Sequence, residues 1–117
     1  VFFGMKELDV IVEAMLEKKA QGVCSIDLTG TGTSITDYFV ICNADSTTQV
    51  AAIADNIIDS LAKEGRKPAR SQGLQNGFWA ILDYGDIVVH VFQTEYREFY
   101  RLEELWSKAP RKDYKDE

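Results

Sequence analysis

Apolar positions recur along the chain with two distinct periods. Leu8, Ile11, Val12, Met15 and Leu16 fall at i, i+3, i+4, i+7 and i+8, the spacing of one helix face. They predict a first helix from about Lys6 to Gln21, with Gly22 as its stop. From Val23 to Leu28 the period shortens to two: Cys24, Ile26 and Leu28 alternate with Ser25 and Asp27, a strand with one buried and one wetter face. Thr29 to Ser34 is a loop of Gly, Thr and Ser. A second strand, Asp37 to Asn43, is apolar on both faces through Tyr38, Phe39, Val40, Ile41 and Cys42, the pattern of a central strand covered on both sides. Ser46 then opens a capping box, in which its hydroxyl accepts from the third helical N–H and the Gln49 side chain reaches back. Val50, Ile53, Ala54, Ile57 and Leu61 give this second helix its core face, and Gly65 ends it.

Residues 66–77 are polar and rich in breakers, with room for one short strand around Ala69 to Gln72 that Pro68 confines to a sheet edge. Two strong strand patterns follow, Phe78 to Asp83 and Asp86 to Phe92, joined by Tyr84-Gly85. Glycine as second residue of a two-residue loop suits a type I′ turn. From Thr94 the pattern turns helical: Tyr96, Phe99 and Tyr100 share a face, Leu102, Leu105 and Trp106 form another apolar set, and Pro110 stops it. The order is helix, strand, strand, helix, edge strand, hairpin, helix. It predicts an α/β fold, a mixed sheet of about four to five strands with helices on its faces. The single domain spans residues 5–110. Residues 1–4 read as an expression remnant or a disordered start before Met5, and 111–117 as a charged, frayed tail.

Composition narrows the function classes. The 117 residues suit one core, and 45% hydrophobic residues are enough to build it. The net charge of −6 and pI of about 4.8 argue against direct binding of DNA or RNA, which needs Lys and Arg for phosphate contacts, and favour a basic protein partner. Cys24 and Cys42 lie in apolar runs without CxxC spacing, and a single histidine cannot complete a zinc set, so buried free thiols in a reducing compartment are expected. No apolar run approaches the length of a membrane span and no signal peptide is visible, which makes the cytoplasm the simplest location.

The residues that could carry chemistry are few. The loop Gly30-Thr31-Gly32-Thr33-Ser34 precedes a strand and lacks the lysine of a phosphate-binding loop. His90 lies in the strand pattern IVVHVF with no nucleophile near it in sequence, and reads as a packed residue. Asp83 and Asp86 bracket the hairpin turn, where aspartates bond local backbone donors; a metal pair would need a third carboxylate at a telling spacing. The strand and helix around 37–46 invite comparison with nucleotidyltransferases. Those carry Gly-Ser at the helix start and a DxD pair on the next strand; here Ala44-Asp45-Ser46-Thr47 stands at the helix start and no DxD follows. The likeness is one of fold without the catalytic residues. No catalytic residue, metal ligand or cofactor is assigned. What remains is Trp79 on its strand and Tyr84 in the turn, large aromatics beside carboxylates, the composition protein interfaces favour.

At this point the stretch WAILDYGDIVVHVF, Trp79 to Phe92, closely resembles the signature of the ribosomal silencing factor family, also called RsfS or Iojap. So do SITDYFVIC at Ser34 to Cys42, QVxAIAD at Gln49 to Asp55, and the tail pattern ExRxFYxLExLW from Glu95 to Trp106. In the right order, these cover most of the chain from about residue 7 to 106. The resemblance implies a protein that binds the large ribosomal subunit through its universal large-subunit protein number fourteen and blocks joining of the small subunit, repressing translation. Related organelle proteins act in large-subunit assembly, and members can form homodimers. It implies no enzymatic activity and no cofactor.

Carried over by position, the partner-binding residues are Trp79, Asp83, Tyr84, Gly85 and Asp86, with Gln72 and Gly73 where the family often has Glu-Gly. Gln72 in place of that Glu removes one charge contact. His90 and the Glu95/Arg97 pair match family positions expected to hold the strand against the final helix. The competing readings are an assembly factor using the same surface and a divergent nucleotidyltransferase built on Asp83, Asp86 and His90.

Overall fold

The computed structural model describes residues 3–32 and 36–114. In chain order the elements are α1 (Phe3–Glu17), β1 (Gln21–Asp27), β2 (Tyr38–Ala44), α2 (Thr47–Lys63), β3 (Arg70–Gln72), β4 (Trp79–Asp83), β5 (Ile87–Gln93), α3 (Thr94–Tyr100), α4 (Leu102–Leu105) and β6 (Arg111–Asp113). The six strands form one sheet in the order β3-β4-β5-β2-β1-β6. β2 and β5 pair in parallel, linked across α2, and every other neighbouring pair is antiparallel. The mixed α/β sheet is as the sequence predicts, with one strand more than the four to five expected.

The extra strand comes from the tail. Arg111–Asp113 pairs with β1, and Tyr114 N–H bonds the Val23 carbonyl, so the frayed tail assigned to 111–117 is corrected as far as residue 114. Three charged residues carry no periodic pattern, which is why the strand is silent in the sequence. At the other end, Phe3 and Gly4 belong to the first turn of α1, so the leader expected at 1–4 is helical from residue 3. Residues 1–2, the loop positions 33–35 and residues 115–117 lie outside the described residues.

One sheet face is covered by α1 and α2. Leu8, Ile11, Val12 and Met15 of α1 and Val50, Ile53, Ala54, Ile57 and Leu61 of α2 pack on Val40 and Cys42, Ala80 and Leu82, and Val89 and Val91. Ser46 caps α2, its hydroxyl accepting from Gln49 N–H at 3.1 Å. The Gln49 side chain does not complete the box; its amide donates to the Lys18 and Lys19 carbonyls at the end of α1, tying the two helices together. α1 itself stops at Glu17, before the expected boundary. Lys19 takes the left-handed conformation there, and Gly22 sits inside β1 at a bulge.

The opposite face holds Cys24, Ile26, Phe39, Ile41, Val88 and Phe92, covered in part by α3, α4 and the segment to Ala109. The final helix is broken: Arg101 is left-handed (φ 46°) and separates α3 from α4. The short α3 spans the end of β5, its Tyr100 ring meets Trp79 of β4, and Trp79 and Ile81 stay half-buried on this face. Both cysteines are buried and free, and burial pushes both thiols up from their ordinary range.

Candidate partner-binding site

The hairpin that carries the family signature turns one residue later than its sequence pattern suggests. Asp83 pairs with Val88 and the Tyr84 N–H bonds the Ile87 carbonyl, which leaves Gly85-Asp86 as the two-residue loop. Gly85, at φ 91°, fills the first loop position, where type II′ turns place glycine. The shift decides where Tyr84 goes. Side chains alternate along β4, so Tyr84 continues the row of Ala80 and Leu82 into the core beneath the helices. It is 5% exposed, its hydroxyl is buried without a partner among the described residues, and burial pushes its pKa up to about 12. The surface anchor expected at Tyr84 is therefore corrected: the ring is a core residue.

The carboxylates at the turn are engaged within the chain. Asp83 accepts from Gly85 N–H at 2.8 Å. Asp86 accepts from Arg66 at 2.9 Å, and the same guanidinium bonds Glu7 at 2.7 Å and the Tyr84 carbonyl while lying over the Tyr84 ring. Arg66 thus ties α1 to the turn. Gly73, at φ 76°, approaches the backbone of β4 so closely that a Cβ there would lie 1.9 Å from the Trp79 carbonyl oxygen. Its place in the signature has a backbone cause. Gln72 is exposed on edge strand β3, paired with Ile81, and lines a shallow depression with Arg70, Ile81 and Asp83.

Trp79 and Ile81 point to the other face, the one α3 and α4 only partly cover. Both are half-buried. The Trp79 indole stacks on Phe92 (centroids 4.8 Å apart) and lies 4.9 Å from the Tyr100 ring, and its Nε1–H donates to His90 Nδ1 at 3.1 Å. Around it stands an aromatic cluster whose grouping no local sequence pattern announces. Phe78 stacks on Tyr96, Tyr96 on Tyr100, and Phe99 meets Tyr100 edge-on. Phe99 is 79% exposed, Tyr100 48% and Phe78 42%. The i, i+3, i+4 spacing of Tyr96, Phe99 and Tyr100 signals an apolar helix face; Tyr96 is half-buried against the sheet, and Phe99 and Tyr100 are exposed.

Arg97 ties the end of this cluster to the sheet. It donates to the Gly22 carbonyl (2.6 Å), to Asn43 Oδ1 (2.8 Å) and to Glu103 (3.1 Å). Its acidic partner is Glu103 and not Glu95, which is exposed on the other side of α3, because residues two apart on a helix do not face each other. His90 is 6% exposed, and burial pushes its pKa down to about 4. No group of three or more His, Cys, Asp or Glu side chains is arranged to hold a metal ion among the described residues. Nor is any helix there long and apolar enough to cross a membrane.

The profile of the family described as "Ribosomal silencing factor during starvation" matches residues 5–117. The chain belongs to this family. Among relatives, it is 37% identical over 106 residues to the Ribosomal silencing factor RsfS of Bacillus subtilis, covering 91% of this chain and 89% of that one. It is 28% identical to the Mus musculus protein named Mitochondrial assembly of ribosomal large subunit protein 1, over 86% of this chain and 45% of that one. A solved structure from Bacillus halodurans superposes with a TM-score of 0.81 at 34% identity, covering 94% of this chain and 99% of that one. A second, from Chromobacterium violaceum, gives a TM-score of 0.84 at 29% identity, over 88% and 85%. The aromatic face around Trp79 carries the exposed side chains of Phe78, Phe99 and Tyr100.

Proposed function

We propose that this chain binds the large ribosomal subunit with the face bearing Trp79, that it engages the basic universal large-subunit protein number fourteen, and that it blocks joining of the small subunit while bound. The observation that carries this reading is the half-buried Trp79 in contact with the exposed ring of Tyr100, which in turn meets the exposed Phe99. Aromatic anchors at the centre of a patch supply most of the energy of a protein interface. A chain of net charge −6 suits a basic partner, since opposite charge speeds encounter. Gln72 and Asp83 border the patch as polar neighbours, and Gln72→Glu strengthens binding if a carboxylate there meets the partner's basic surface.

Co-sedimentation with purified large subunits tests the contact. Trp79→Ala costs about 2 kcal/mol, roughly a 30-fold loss of affinity, and Phe99→Ala weakens binding through the same patch. Undiminished sedimentation of both variants places the contact elsewhere. The blocking step is tested separately: large subunits loaded with the chain should fail to form complete ribosomes when small subunits are added.

The name of the mouse relative favours a second reading, an assembly factor acting on the large subunit through the same face. A deletion strain separates the two. Accumulation of immature large subunits supports assembly, and continued translation in starvation supports silencing.

A further inference from the structure

We propose that His90 is a positioning residue whose neutral imidazole fixes the Trp79 indole in its binding orientation. The proposal rests on the reading of Trp79 as a partner contact. In the β4–β5 ladder His90 lies opposite Ile81, which places it diagonally from Trp79 on the same sheet face. The indole has one polar atom, Nε1–H, which only donates. It meets His90 Nδ1 at 3.1 Å. Nδ1 must therefore be the unprotonated nitrogen, and in the neutral ring the proton sits on Nε2.

Nε2 is buried and has no hydrogen-bond partner among the described residues. Around the imidazole stand Phe39, edge-on at 4.9 Å, Phe92 and the indole itself. In such a shell an apolar side chain would fill the space without stranding a donor. What histidine adds is the acceptor toward Trp79. Stacking on Phe92 and the tilted contact with Tyr100 hold the plane of the indole; the bond to Nδ1 selects which edge of the ring faces inward. A ring held in one orientation before binding is not ordered at the expense of affinity.

Asparagine and leucine at position 90 separate this role from packing, because they are similar in size and only asparagine presents an acceptor near the place of Nδ1. His90→Leu should weaken large-subunit binding about five- to tenfold, and His90→Asn should stay within about twofold of the wild type. Added to Trp79→Phe, which removes the donor, His90→Leu should cause no further loss. Equal losses for leucine and asparagine, or additive losses in the double variant, overturn the proposal.

Two spectroscopic measurements stand apart from ribosome binding. In the wild type, imidazole nitrogen shifts should report a proton on Nε2 and none on Nδ1; the opposite tautomer overturns the proposal. The Trp79 indole N–H, assigned by its disappearance in Trp79→Phe, should exchange slowly with solvent in the wild type and in His90→Asn, and quickly in His90→Leu. Unchanged exchange in His90→Leu overturns it too. If the wild type does not bind large subunits at all, the functional reading fails, and these measurements still decide whether His90 positions the indole.

Discussion

Arg97 Nη1 donates to the carbonyl oxygen of Gly22 at 2.6 Å, joining α3 to a bulge in β1 across 75 positions of sequence. The approach depends on glycine twice. Gly22 takes φ 58°, and a Cβ there would lie 2.6 Å from the same Nη1 and 3.0 Å from Asn43 Oδ1. Gly22→Ala should therefore destabilise the fold by about 1–3 kcal/mol, measured by chemical denaturation. Arg97→Lys should cost about 2 kcal/mol, because an ammonium cannot reproduce a planar fork that serves Gly22, Asn43 and Glu103 together.

Tyr84 offers a test in the opposite direction. Its hydroxyl is buried without a partner, and Arg66 lies over its ring 5.5 Å from the centroid. Tyr84→Phe removes the stranded hydroxyl and keeps the ring. It should leave stability unchanged or raise it by about 1 kcal/mol, with large-subunit binding unaltered. A loss of binding with unchanged stability would return Tyr84 to the interface.

Acid should weaken the fold through His90. Its folded pKa is lowered by burial to about 4 from 6.5. Above pH 6.5 the ring is neutral in both folded and unfolded chains and its contribution is fully present. As the pH falls the unfolded chain takes up the proton first, so stability declines between 6.5 and 4, by about 3 kcal/mol in all. Denaturation midpoints measured across this range should fall in the wild type and fall less steeply in His90→Asn, which cannot titrate.

Gly73→Ala should be among the most damaging single changes on the surface, at about 3 kcal/mol or more. The clash at 1.9 Å is with a backbone carbonyl inside the β4 ladder, which cannot swing aside as a side chain could. Thermal unfolding of the variant checks it. If Gly73→Ala instead folds normally and loses only ribosome binding, its role is contact and not close packing.

How far these features were legible varies with the kind of signal. The core face of α2 was readable in full, since Val50, Ile53, Ala54, Ile57 and Leu61 follow one helical stripe and all are buried. β2 and β5 were readable for the same reason, as apolar runs flanked by turn residues. The strand pattern locates the hairpin but places its turn one residue early, because Tyr84-Gly85 and Gly85-Asp86 both offer plausible two-residue loops. Parity then carried Tyr84 from the surface to the core. Phe99 and Tyr100 fit a helix face in sequence; their exposure depends on where α3 sits against β5, which is a tertiary fact. Arg97 reaches Gly22 and Asn43 through the fold alone, and nothing local announces those partners.

The two outermost strands, β3 and β6, have three residues each, all exposed, and between them carry Arg70, Gln72, Arg111, Lys112 and Asp113. A visiting β-strand would find only a short, charged rim on which to form main-chain hydrogen bonds. Neither a partner protein nor another copy of this chain gains much by extending the sheet. On the binding mode proposed above, recognition falls to the side chains that stand on the sheet's face, so partner choice can be tuned residue by residue without exposing a template for aggregation.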